Sequence, residues 1–122
     1  MVNHLVVDET ELDRVFMALS DSSRRKIVAQ LAEHGELSIG DASAGLDLSP
    51  AGITKHVRVL EDAQLVVRRV EGRRHLLSLE SRRLQLAEDW IDRYRTFWTR
   101  SMSRLAELAA EAERNVEQEE PS

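Results

Sequence analysis

Two stretches hold the residues whose types and spacing suggest chemistry. In Ser49-Pro-Ala-Gly-Ile-Thr-Lys-His-Val-Arg58, residues Ala51, Thr54, Lys55 and Arg58 recur at three- and four-residue steps. On a helix that spacing gathers them on one side, opposite an apolar stripe of Ile53, Val57 and Leu60. Farther on, Glu71-Gly-Arg-Arg74 interrupts two strand-like runs, Leu65–Val70 and Arg73–Leu79. Glycine in such a place permits a tight turn, so Arg73 and Arg74 sit at the tip of a hairpin. A helix carrying exposed cations beside an arginine-tipped ribbon suits a polyanion, and duplex DNA is the polyanion with a groove of the right width.

Each residue in this set has a distinct role to offer. Lys55 and Arg58 reach phosphates or guanine edges, and Thr54 reaches a base edge or a thymine methyl. Ser49, at the start of the helix, suits a phosphate because helix N-termini attract anions. Arg73 and Arg74 suit a minor groove or its flanking phosphates. Plainer readings stand beside these. Arg58 has Glu61 and Asp62 within reach, Arg24 and Arg25 have nearby acids, His56 lies between inward positions as a packed histidine would, and His75 meets phosphate only when protonated.

The elements that must position this set can be read from periodicity. Leu12, Val15, Phe16 and Leu19 mark a first helix. Asp21 then caps a second, with Ile27, Val28 and Leu31 inward, which stops at His34-Gly35. Glu36-Leu-Ser-Ile is an extended link, and a brief helix follows from Gly40 to Ala44. Ser49 caps the next helix and Pro50 fills its first turn, where a missing amide is tolerated. Gly52 within it costs about 1 kcal/mol relative to alanine. From Ser81 to Ala112 the chain reads as one long helix, or two nearly continuous ones. The expected fold is mainly α with a two-stranded wing: a winged helix-turn-helix with a long C-terminal dimerisation helix.

Along that last helix Leu84, Ile91, Tyr94, Trp98, Met102 and Leu105 form a stripe that Leu86, Trp90, Phe97 and Leu108 widen. A small core cannot cover so much apolar surface, so a second copy of the chain is the expected cover. Trp90, Ile91, Tyr94, Phe97, Trp98 and Met102, with Leu12 and Phe16, are the expected interface between subunits. A pocket for an apolar effector among Trp90, Tyr94, Phe97 and Trp98 is the other reading. Residues 1–112 are taken as one DNA-binding and dimerisation domain, and 113–122 as an acidic, disordered tail.

Composition narrows the classes. The chain has 122 residues, 42% of them hydrophobic and 32% charged, with a net charge of −5. Charge placement matters more than the sum. From Gly52 to Arg83 eight Lys/Arg face four acids, so that window carries +4 and the remainder −9. With no cysteine, disulfides and thiolate metal sites are excluded. No cofactor and no metal are expected, since carboxylates alone hold transition metals weakly. No apolar run approaches the ~18–20 residues of a membrane span. Residues 1–9 lack a leader's features, so a cytoplasmic, nucleoid-associated location follows. Ser49, His56 and Asp62 lack a nucleophile turn and an oxyanion hole, so no enzyme is expected.

From Leu12 to Leu108 the chain resembles the ArsR-type winged-helix repressors, in their non-metal-sensing branch. The resemblance rests on Val15-Phe-Met-Ala-Leu-Ser-Asp-Ser-Ser-Arg-Arg-Lys-Ile-Val28, Glu36-Leu-Ser-Ile-Gly-Asp41, Leu48-Ser49 with Lys55-His-Val-Arg-Val-Leu-Glu61, Glu71-Gly-Arg-Arg-His75 and Trp90-Ile-Asp-Arg-Tyr-Arg-Thr-Phe-Trp98. It implies a homodimeric, sequence-specific regulator of transcription, most simply a repressor on a pseudo-palindromic operator. It also supports Ala51, Thr54, Lys55 and the wing arginines as facing DNA. The chain departs from the family at Ser22-Ser23, at Pro50-Ala51, where an adenine-reading glutamine is usual, and at Gln64, where a glycine is usual. The first departure bears on helix initiation, the second on the operator read and the third on the turn into the wing. A winged-helix module that binds protein and not DNA is the alternative.

Overall fold

The computed structural model describes residues 9–119. The expectations for residues 1–8, and for the last three residues of the tail, lie outside that range. Eight elements follow in order: α1 (Glu9–Leu19), α2 (Ser22–His34), β1 (Leu37–Ser38), α3 (Ile39–Ala42), α4 (Pro50–Asp62), β2 (Val66–Glu71), β3 (Arg74–Leu79) and α5 (Ser81–Glu119). The chain divides into two compact units, one up to Ala87 and one from Glu88.

In the first unit the expected helix starts carry their caps. The Asp21 carboxylate accepts the Arg24 amide at 3.1 Å, and Ser49 Oγ accepts the Gly52 amide at 3.1 Å. Each satisfies one of the amides that a helix start leaves unpaired. Gly35 ends α2 at φ 78°, its amide on the Leu31 carbonyl at 2.9 Å. Helix α3 is shifted slightly from its expected span because Ser38 caps it, accepting the Asp41 amide. Gln64, in the glycine position noted above, adopts φ 58°, and the Leu65 amide returns to the Leu60 carbonyl at 3.0 Å. The left-handed turn into the wing is thus kept without glycine.

The sheet has three antiparallel strands in the order β1-β3-β2. The hairpin pairs Val66 with Leu79 and Glu71 with Arg74. Leu37 and Ser38, expected only as a link, pair with Leu77 and Leu76 and add the third strand. Helices and sheet enclose one core in which Val15, Ile27, Leu31, Val57, Leu60, Leu65 and Leu77 are the largest fully buried side chains. Ile53 and Val28 are half-buried against it.

Leu12 requires a correction. It is 3% exposed, so it belongs to its own chain's core and has almost no surface to offer a second copy. Its three-residue spacing from Val15 and Ala18, both fully buried, turns it inward. Phe16, one position round, is half-buried and packs against the same core.

The second unit is α5 from Glu88 onward. The division falls where burial ends: from Glu88 to Gln118 only Ser101 is even half-buried. The helix also continues to Glu119, past the stop expected at Ala112. Residues 111–119 contain no glycine or proline to end it.

Candidate nucleic-acid interface

Helix α4 buries Val57 and Leu60 and leaves Ala51, Thr54, Lys55 and Arg58 exposed on its other side. Four of the candidate residues therefore share one surface, with Ser49 at its N-terminal edge. Lys55 and Arg58 make no hydrogen bond or ion pair with another described residue. The Glu61 that stood as a possible partner for Arg58 is engaged elsewhere. Thr54 is less free than its type suggests. Its hydroxyl donates to the Pro50 carbonyl at 3.0 Å, leaving the methyl group and the oxygen lone pairs for any outside contact.

The hairpin turns at Gly72 (φ 62°) and Arg73, with Arg74 opening β3. Both arginines are exposed, and Arg73 is unpartnered among the described residues. Arg74 acts on Glu36 only through its charge. The strand behind the turn is different. Arg68 donates from Nη2 and Nε to both oxygens of Glu61, at 2.6 and 3.2 Å, and from Nη1 to His75 Nδ1 at 3.1 Å. It joins both wing strands to the last turn of α4. Arg69 donates twice to Glu36, at 2.6 and 3.1 Å, and to Glu71 at 2.8 Å. Those hydrogen bonds raise the Arg69 pKa, and the bond from Arg69 holds the Glu36 carboxyl below its ordinary range.

Behind α4 a second network joins three helices. Arg24 donates to the Ala18 and Met17 carbonyls at 2.7 and 3.1 Å, and to His56 Nδ1 at 3.1 Å. Arg25 donates to the Leu19 carbonyl at 2.8 Å. Both are structural, but their partners are backbone carbonyls at the end of α1 in place of the acids expected. Helix α1 has no cation in its own last turn, and its open carbonyls draw these two. Asp21 Oδ2 lies 3.9 Å from His56 Nδ1. The Arg24 amide lowers the Asp21 pKa most, and the Arg24 charge adds to it. His56 is thus a packed histidine fastening α4 to α2. Arg83 is likewise engaged, on Glu11 and Gln64, at 2.6 and 2.7 Å.

The structure therefore brings Ser49, Ala51, Thr54, Lys55 and Arg58 together on α4, and Arg73 and Arg74 together at the hairpin tip. The sequence reading missed Glu61, Arg68 and Arg69, which brace these surfaces. Their only local signal was opposite charge, and no spacing rule pairs residues across a helix and a hairpin.

On the second unit Trp90, Ile91, Tyr94, Phe97, Trp98 and Met102 are all exposed, Phe97 and Trp98 by 67% and 62%. The Trp90 and Tyr94 rings lie 4.8 Å apart. Ile91, Tyr94, Arg95, Phe97 and Trp98 line an open depression along one helix, without the walls that enclose a small apolar ligand. Among the described residues no three His, Asp or Glu side chains gather as a metal site.

Known proteins resemble this chain in sequence and in fold. The family described as "Helix-turn-helix domain" matches residues 19–69, from the end of α1 into β2. The HTH-type transcriptional regulator Rv2034 of Mycobacterium tuberculosis is 38% identical over 96 residues, covering 79% of this chain and 86% of the relative. The transcriptional repressor SdpR of Bacillus subtilis is 30% identical over 80 residues, 66% of this chain and 88% of its own. Among solved structures, the ArsR-like transcriptional regulator from Rhodococcus sp. RHA1 superposes with a TM-score of 0.62 at 27% identity, over 83% of this chain and 94% of that one.

Proposed function

The chain belongs to the ArsR-type winged helix-turn-helix transcriptional regulators, and from that premise we propose that two copies together hold duplex DNA and repress transcription. The observation that carries this reading is the partition of cations around α4. Lys55, Arg58 and Arg73 are exposed with no partner among the described residues, while neighbouring arginines are held by carboxylates. Unpaired, exposed cations on a groove-sized helix are what a phosphate backbone attracts.

In this reading α4 enters a major groove. Lys55 and Arg58 meet phosphates or guanine edges, and the Ser49 hydroxyl with the helix N-terminus meets a phosphate. Ala51 and the Thr54 methyl supply apolar contact to thymine. Arg73 and Arg74 reach the adjacent minor groove or its phosphates. Residues 1–112 act as one DNA-binding and pairing unit. Trp90, Ile91, Tyr94, Phe97, Trp98 and Met102, with the exposed part of Phe16, cover one another across two copies. Two-fold pairing calls for half-sites about one helical turn, ~10 bp, apart. Occupied promoter DNA excludes polymerase, consistent with the repressor among the relatives. On this reading the protein works in the cytoplasm, because that is where the DNA it would hold lies.

The test is fluorescence anisotropy with a labelled fragment from upstream of the chain's own coding region. Raising salt from ~50 to ~200 mM should weaken binding by a factor on the order of 10³, because each phosphate contact releases counterions. No binding to any genomic fragment at the lower salt overturns the proposal.

A further inference from the structure

His75, on the wing, holds a place that the set of free cations does not account for. The hairpin pairs Val70 with His75 and Arg68 with Leu77, so these four side chains share one face of the sheet. Leu77 is fully buried at the inner end of that face, while Val70 and His75 are exposed at its outer end. Glu61, in the last turn of α4, holds Arg68 by Nε and Nη2 and leaves Nη1 to donate to His75 Nδ1 at 3.1 Å. A guanidinium has five N–H groups and no acceptor, so Nδ1 must supply the lone pair. The imidazole is therefore neutral, with its one N–H on Nε2. That nitrogen meets no other described residue. The run Glu61–Arg68–His75 thus fixes the ring between α4 and the arginines at the tip, with its donor on the side away from Arg68.

We infer that neutral His75 donates from Nε2 to a phosphate oxygen on the strand between the major groove that receives α4 and the minor groove that the wing tip reaches. This rests on the DNA-binding reading above and adds to it a contact made without a protein charge. It also replaces the expectation that His75 meets phosphate only when protonated. An imidazolium has no lone pair for Arg68, and would set two cations 3.1 Å apart. Phosphate is the fitting acceptor, because its own charge strengthens a hydrogen bond from a neutral donor. Such contacts set where a protein sits on the duplex and read no base. A neutral donor also displaces few counterions, so His75 adds affinity without adding to the salt slope. Lys55, Arg58 and Arg73 add to both. The ring is already held by Arg68, so little side-chain freedom is lost when the phosphate arrives.

Two variants separate the roles of the ring nitrogens, read by anisotropy on the upstream DNA fragment. In His75→Asn the amide oxygen takes the place of Nδ1 and still accepts from Arg68, but no donor reaches as far as Nε2. In His75→Gln the amide nitrogen reaches the place of Nε2. His75→Asn should weaken binding on the order of 10-fold, the loss falling in both copies, and His75→Gln should stay within about 3-fold of the unmodified chain. All three should share one salt slope. Equal affinity of His75→Asn and the unmodified chain overturns the inference and leaves DNA binding intact, as does an equal loss in both variants. A slope lowered by about two units in both variants makes His75 a cation in the complex and overturns it too. If the unmodified chain binds no fragment, the DNA-binding reading fails and takes the inference with it. As a second measure, nitrogen NMR of the histidine rings, assigned by the signal that His75→Gln removes, should show Nε2 protonated and Nδ1 bare. A proton on Nδ1 overturns the inference whatever the DNA does.

Discussion

The arginines inside the wing strand and the cations around it look alike in sequence but behave differently in the fold. Arg68 and Arg69 sit side by side on β2, and each grips a carboxylate with two nitrogens. Lys55, Arg58 and Arg73 are as basic and remain without partners among the described residues. A cation that has a carboxylate fixes geometry. A cation that lacks one is free to meet a polyanion, and a charge count cannot separate the two groups.

Breaking this contrast from the free side should have the largest effect. Replacing Lys55, Arg58 and Arg73 together by alanine should lower DNA affinity by ~100-fold or more, and flatten the salt dependence by roughly four to five units of log–log slope, because each change falls in both copies. Thermal unfolding should barely move, because all three side chains are exposed and bridge nothing. An unchanged slope in a salt titration would place the phosphate contacts on other residues.

The engaged side should answer the other way. Arg68→Ala removes a bidentate, part-buried bridge between α4 and the wing, so unfolding in urea should register a loss of about 1 kcal/mol. DNA binding should weaken through a looser wing while its salt slope stays put. A slope reduced by about two units, one for each copy, would mean that Arg68 touches phosphate itself, and the contrast drawn here would lose half its support.

The smallest expected effect concerns acid. The folded state holds the Glu36 carboxyl below its ordinary value of 4.5 through the Arg69 hydrogen bonds. Its contribution is therefore complete above that pH and is lost as pH falls through the lowered folded value. Glu36→Gln should be slightly less stable near neutrality and lose less on acidification. Urea midpoints at pH 6 and pH 3 would show this. Parallel curves for the two proteins would mean that the Arg69–Glu36 pair does not anchor the wing.

Much of this molecule was legible before folding was considered. The caps at Asp21 and Ser49, the stop at Gly35 and the hairpin turn at Gly72 depend on residues within a few positions of one another. Short-range chemistry of that kind is written directly in the chain. The α4 stripe was legible for the same reason, because helical period alone sorts Val57 and Leu60 from Lys55 and Arg58. Assigning Leu12 to a subunit interface failed because an apolar residue's spacing shows which side it takes, and not whether its own chain or another covers that side. The third strand was missed because two residues carry too little pattern to announce pairing with a strand almost forty positions away.

By itself, then, the order of residues determined the helices, the turns and which helix face would be polar, since each follows from neighbours in the chain. Only the tertiary structure decided which of the polar groups would be consumed. Glu36 reaches Arg69 across 33 positions and Arg24 reaches His56 across 32. Contacts of that length exist only once a common core has brought the segments together.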